Sequence, residues 1–198
     1  MARFRSWLKS VPSLAIIGTI LFLVMSVGGG LLLWGSNFSS NMVHDQLSAQ
    51  RIHFPEKGAA NFAAKDYPTL QQYAGQTVDS GPKAKAYAND FINAHLQGIG
   101  GGKTYSELSA QSIANPTDQK LAGSVQAMFR GETLRGLLLY AWGWSVVGLI
   151  AYYAGIAALI GAFGVASALA LGFALHEREV KAHATALAIG GAMPLPVV

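Results

Sequence analysis

Cysteine is absent from the 198 residues of this chain. That removes disulfides, thiolate metal sites, a lipid-modified cysteine and a cysteine nucleophile together. Any part of the chain facing an oxidising compartment must hold itself together by packing alone. Charge is the second shortage, at 12% of residues against about 25% in ordinary soluble domains. The net charge is +4 with the lysines and arginines scattered, so there is no basic stripe of the kind that nucleic-acid binding needs. The shortage is concentrated in two places. Ser10 to His44 contains no Asp, Glu, Lys or Arg, and Gly136 to Leu175 contains none of these and no histidine. Proton relays, ion pathways and transport sites normally use ionisable groups inside the membrane, so the sequence argues against a stand-alone pump or transporter. Haem ligation within the bilayer would have Met25 alone to draw on in the first span, residues 13–35. No serine sits in a G-x-S-x-G elbow, and the ten acidic residues form no evident carboxylate pair. No catalytic signature is present, and no cofactor is implied.

What the chain has in quantity is apolar residues, 52% of the total. About 20 of them in a row cross roughly 30 Å of hydrocarbon. The N-terminus, MARFRSWLKS, carries Arg3, Arg5 and Lys9 ahead of the run Leu14 to Trp34. That run exceeds the roughly 7–15 residues of a signal-peptide core, so it reads as an uncleaved anchor. The expectation is a cytoplasmic segment over 1–12, placed by its positive charges, and a first transmembrane helix over 13–35. The second silent stretch, 136–175, would measure about 60 Å as one helix. Either one helix begins outside the bilayer and crosses once, or two short spans turn near Tyr152–Gly155. No Pro or Asn interrupts it, which favours the single helix, with Tyr152 and Tyr153 at the outer interface as aromatic belts are. A cytoplasmic tail over 176–198 follows, opening on His176, Glu177, Arg178 and Lys181 and ending at Pro194-Leu-Pro196.

Residues 36–135 should form a small helical extracytoplasmic domain. Phe38, Met42 and Leu47 continue the first helix outward at near-helical spacing. Arg51 to Thr77, with Pro55, Gly58, Pro68 and Gly75, should be mostly loop. Asp79 or Ser80 as cap, with Pro82 in the first turn, opens a helix. Its apolar face takes Ala84, Tyr87, Ala88, Phe91, Ile92 and His95. Glycines 98 and 100 to 102 end it. Thr104 with Glu107 is a capping box, and Asn115-Pro116 a further cap pair. The fold class expected is therefore an all-α membrane protein. Two transmembrane helices, or three on the hairpin alternative, flank the helical domain.

Each candidate for chemistry has a plainer reading beside it. Gly98 to Thr104 evokes a phosphate-binding loop, but the required first glycine is Gln97 and the preceding element is a helix. A helix break is the better reading. His44, Asp45 and His53 are weak candidates for a metal site resembling a two-histidine, one-carboxylate triad. Their spacing fits neither a helix face nor a strand. Asp45 suits pairing with Arg51, Arg130 or Arg135. Arg130 and Arg135 could bind lipid phosphate, while interfacial anchoring by snorkelling is the plainer reading. Ala157, Gly161, Gly164, Ala168 and Gly172 recur every three or four residues, offering a narrow face for close helix packing. Gly28, Gly29 and Gly30 do the same in the first span. The outer part of the long helix, Leu137 to Val147 with Trp142 and Trp144, must be covered by the domain or by another protein if it stands above the bilayer.

Four strings carry a resemblance: Val43-His-Asp-Gln-Leu-Ser-Ala-Gln50, Tyr73-Ala-Gly-Gln76 with Ala84-Lys-Ala-Tyr-Ala88, Gly102-Lys-Thr-Tyr-Ser106, and Phe129-Arg-Gly-Glu-Thr-Leu-Arg-Gly-Leu-Leu138. From the second half of the first span through the long helix, they resemble an uncharacterised family of actinobacterial two-span membrane proteins. The resemblance implies the topology above and a bacterial plasma membrane, but no reaction. Some members carry a ring-opening dioxygenase label, to which these residues give no footing, because no coherent iron triad can be assembled.

The expected function is a non-catalytic accessory or scaffold subunit of a larger plasma-membrane complex, such as a respiratory or transport assembly. Its partners would be other membrane subunits or further copies of itself, together with lipids. The alternative is a membrane-anchored module that captures a lipid or small apolar molecule in a pocket near His95 and Phe91.

Overall fold

The computed structural model describes residues 2–190, with side chains described from 13 to 186. Met1 and the expected tail end at Pro194-Leu-Pro196 lie outside the described residues, as do the side chains of Arg3, Arg5 and Lys9. Helix α1 runs Ala2–Gln50. A short 3-10 helix, Pro68–Tyr73, follows. Helix α2, Gly81–Ala86, passes through a π-helical stretch, Tyr87–Ile92, into α3, Asn93–Gly100. Helix α4 is Tyr105–Ala114, and α5 is Gln119–Gly190. The chain is all-helical. Its nearest approach to a sheet among the described residues is one isolated antiparallel bridge between His53 and Thr77.

Two helices are long and apolar enough to cross a membrane, Ser13–Gln50 and Gln119–Ala186. Helix α5 runs through Tyr152–Gly155 without a turn, so the hairpin alternative is not adopted. The reason is local: nothing in that stretch breaks a helix, and each residue adds an internal hydrogen bond.

The molecule divides into two compact units. One takes the chain up to Leu33 together with that from Tyr152, and the other is Trp34–Ala151. The first is an antiparallel helix pair, in which small residues set the distance. A Cβ on Gly29 would stand 3.1 Å from the Gly155 carbonyl oxygen, and one on Gly155 only 3.0 Å from the Gly29 carbonyl oxygen. Further along, Gly161 faces Met25 and Gly18 faces Leu169. Glycine allows this approach because no side chain intervenes.

The second unit has a core drawn from nearly every element. Val43 and Leu47 come from α1; Phe54, Phe62 and Val78 from the loops; Leu70 from the 3-10 helix; Ala84, Ala88, Phe91, Ile92 and Leu96 from the α2–α3 helix. Leu108, Met128 and Leu138 close it from α4 and α5. The Arg51–Tyr67 segment is irregular, as its prolines and glycines suggest, yet Phe54 and Phe62 pin it to the core. Buried Ser36 and Ser39 lie against Gly148, and the Ser39 hydroxyl donates to the Trp144 carbonyl at 2.8 Å.

The structure differs from the sequence reading at three local points. The π stretch inserts an extra residue into the turn, so the buried positions after it shift by one. Leu96 is buried and His95 is exposed, where simple periodicity puts His95 on the apolar face. Asn115 ends α4 instead of starting the next helix; Asp118 caps α5 by accepting from the Leu121 N–H at 2.9 Å. Ser80 is the cap residue of α2, but its side chain makes no capping bond. The Thr104–Glu107 capping box is present in both directions, with Thr104 N–H to Glu107 Oε2 at 2.7 Å and Glu107 N–H to Thr104 Oγ1 at 3.3 Å.

Candidate functional site

Five polar residues of the Trp34–Ala151 unit, Ser40, His44, Asp79, Ser80 and Ser145, gather where α1, α2 and α5 meet. Helix α2 can approach α5 closely because Gly81 packs directly on Ser145. Beside that contact lies a cavity of about 240 Å³ lined by residues that include Ser40, His44, Asp79, Ser80 and Ser145. His44 Nδ1 lies 3.1 Å from the Asp79 carbonyl oxygen. The Asp79 carboxylate accepts from Lys83 Nζ at 3.0 Å, and Lys85 Nζ stands 4.4 Å over the Trp142 ring. The Ser145 hydroxyl donates to the Trp142 carbonyl of its own helix at 2.7 Å. Of these hydrogen bonds only the one between His44 and the Asp79 carbonyl ties the approach to α2 to a long helix, and the other two are local to α2 and to α5.

Burial pushes the Asp79 carboxyl up. Its hydrogen bond to Lys83 and the Lys83 charge, helped by its own N–H and by His44, outweigh this, and the value ends below the ordinary 3.8. The pair therefore contributes fully above the ordinary carboxylate range, and the contribution is lost as pH falls through the lowered value. Both side chains are partly exposed, at 21% and 31%. Lys83→Met is accordingly expected to cost well under about 1 kcal/mol near pH 7. The gap between variant and wild type should close in acid unfolding titrations. A gap that stays constant through the carboxylate range would show that Lys83 acts through its alkyl stem instead.

The three residues weighed for a metal are placed apart in role. His44 is tied to Asp79, His53 Nδ1 lies 3.3 Å from Thr77 Oγ1, and Asp45 is exposed on α1. Among the described residues no three His, Cys, Asp or Glu side chains gather to hold an ion. Arg135 turns toward the domain, with Nη1 3.3 Å from Glu132 Oε2 and Nη2 3.4 Å from Asn89 Oδ1. Arg130 is exposed on the same helix. The neighbourhood of Phe91 is filled by rings, with Tyr87, His95, Tyr67 and Phe62 at 4.9, 4.5, 5.5 and 5.8 Å between centroids.

The five small residues of α5 do not share one environment. Gly161 meets Met25, whereas Gly164 and Gly172 have open space where a Cβ would be, and Ala157 and Ala168 are exposed. The backbone approach to α1 is at Gly155 instead, two residues before the first of that set. Two apolar grooves escaped the sequence reading because they depend on which faces of α1 and α5 are left over after pairing. One, of about 290 Å³, lies between Met42–Gln50 of α1 and Leu137–Trp144 of α5. The other, of about 400 Å³, runs along α5 beside Tyr140, Trp144 and Val147. No protein-family model, curated protein or solved structure matches this chain.

Proposed function

We propose that the chain is a non-catalytic accessory or scaffold subunit of a larger complex in a bacterial plasma membrane, such as a respiratory or transport assembly. Its N-terminus would be cytoplasmic and its central domain extracytoplasmic. Charged Lys85, over Trp142, and Asp79, in the cavity beside Ser145, favour an aqueous or headgroup environment for that stretch of α5. From Tyr153 to Leu175 the same helix then supplies about 33 Å of uncharged length, enough for one crossing. The positive N-terminal residues favour the orientation, and the resemblance to actinobacterial two-span proteins favours the membrane.

The observation that carries the proposal is the outward small-residue face of α5. Ala157, Gly164, Ala168 and Gly172 remain uncovered after α1 has paired. Lipid solvates large side chains as well as small ones, so a stripe of small residues gains most from another helix at close range. Purification of the full chain from its native membrane in mild detergent should recover stoichiometric partner subunits. Gly164→Leu with Gly172→Leu should release them while leaving the chain folded, since both positions face open space. An isolated wild-type monomer would overturn the proposal. The alternative, a module that captures a lipid or apolar molecule, draws support from the groove between α1 and α5 and none from the ring-filled neighbourhood of Phe91.

A further inference from the structure

Helices α1 and α5 each carry an exposed aromatic pair at nearly the same distance from a charged end. On α1, Trp34 and Phe38 stand one turn apart with their rings stacked at 5.8 Å, and they are 67% and 56% exposed. On α5, Tyr152 and Tyr153 meet edge to face at 5.5 Å, and both are exposed. No Asp, Glu, Lys or Arg lies between Lys9 and Trp34, or between Tyr153 and Glu177. As helix the first interval rises about 38 Å and the second about 36 Å. Both exceed the roughly 30 Å of hydrocarbon and stay within the about 40–45 Å that includes the headgroup regions.

We infer that the Trp34–Phe38 and Tyr152–Tyr153 pairs rest in the ester and headgroup layer of the outer leaflet, where they set how deeply the chain sits. The inference deepens the membrane placement proposed above and rests on it. Indole and phenol rings join an apolar body to one polar tip, which suits a layer that is oily on one side and wet on the other. Tyr140 and Trp144 form a rival exposed pair on α5, with ring centroids 6.3 Å apart. From Trp144 to Glu177 the helix rises about 50 Å, more than the whole bilayer. A boundary there would also carry Lys85, over Trp142, and Asp79, beside Ser145, toward the hydrocarbon, where charge is costly. Trp34 on α1 and Tyr153 on α5 mark the level on which both helices agree.

The test uses the full chain with Trp7, Trp142 and Trp144 replaced by Phe, leaving Trp34 as the sole tryptophan. It is placed in phosphatidylcholine vesicles brominated on the acyl chains either near the ester or near the methyl end. Trp34 should lose more emission to the shallow bromines than to the deep ones. Greater loss to the deep bromines would overturn the inference, as would quenching by aqueous iodide with no effect of either lipid. The chain lacks cysteine, so a second measurement needs only one substitution at a time. Leu31 lies about 5 Å below Trp34 along the helix and Asn41 about 10 Å above it, and both are exposed. In the native membrane, an impermeant maleimide added from the outer side should label the Asn41→Cys chain. It should spare the Leu31→Cys chain until the membrane is dissolved. Labelling of both, or of neither, would overturn the inference. Extraction of the chain by alkaline carbonate would remove the membrane reading itself, so failure of that reading is distinguishable from failure of the depth alone.

Discussion

Phe62→Ala should lower the stability of the Trp34–Ala151 unit by about 3–5 kcal/mol, the range for removing a fully buried phenylalanine. Phe62 is 0% exposed. Its ring lies 5.6 Å from Tyr67 and 5.8 Å from Phe91, and its carbonyl accepts from Gln71 Nε2 at 3.1 Å. It sits in an irregular segment held by turn hydrogen bonds such as Phe62 N–H to the Ala59 carbonyl, so its ring, with that of Phe54, tethers that segment to the core. Losing it leaves a cavity and frees the loop, and proteolysis between Arg51 and Tyr67 should accelerate along with earlier denaturant unfolding. Ile113→Ala is the contrast. Ile113 is 79% exposed, and surface changes of that kind stay within about 0.5 kcal/mol. Equal effects at the two positions would mean that the core does not pass through Phe62.

Gly81→Ala is the second large effect. An alanine Cβ there would fall inside the space of the Ser145 Cβ and Oγ, with the Trp142 Cα only 3.4 Å away. The Ser145 Cβ is fixed to the α5 backbone, so no side-chain rotation relieves the clash and α2 must move off α5. Overpacking of this type costs about 1–3 kcal/mol. Displacing α2 also separates Lys85 from Trp142, so tryptophan emission should change together with stability. Ser145→Gly removes the obstructing atoms, and the double variant Gly81→Ala, Ser145→Gly should regain most of the loss. The recovery is a coupling energy of the kind that residues in contact show. Gly131→Ala is milder, because the atoms that it meets belong to the flexible Leu96 side chain. If the double variant were no better than Gly81→Ala alone, the close approach of α2 to α5 would be refuted.

The elements fixed by local chemistry could be read from the sequence. Charge silence marked the two long helices, the Thr104–Glu107 pair marked the start of α4, and Pro82 marked the entry into α2. What could not be read depends on long-range fit. Gly155 and Gly161 look alike in sequence, but which of them touches the α1 backbone is decided by the phase of two helices against each other. The extra residue at Tyr87–Ile92 has no signature among those six residues, yet it exchanges His95 for Leu96 in the core. Asn115-Pro116 is a sound helix start by local rules, and Asp118 takes that role because its carboxylate reaches the Leu121 N–H. The grooves are leftovers of packing, and no stretch of chain announces them.

The Ser39 hydroxyl on the Trp144 carbonyl bears on how finely α1 and α5 are indexed within the Trp34–Ala151 unit. Greasy contacts between smooth helices are nearly equivalent after a slip of one turn, about 5.4 Å. A directed link from a buried donor to one main-chain oxygen has no such tolerance, because a slip of that size carries the hydroxyl beyond reach of its acceptor. It acts as a key in a lock plate, selecting a single axial setting from a ladder of near-degenerate ones. That setting brings Met42 opposite Trp144, so the shape of the neighbouring slot is inherited from one serine.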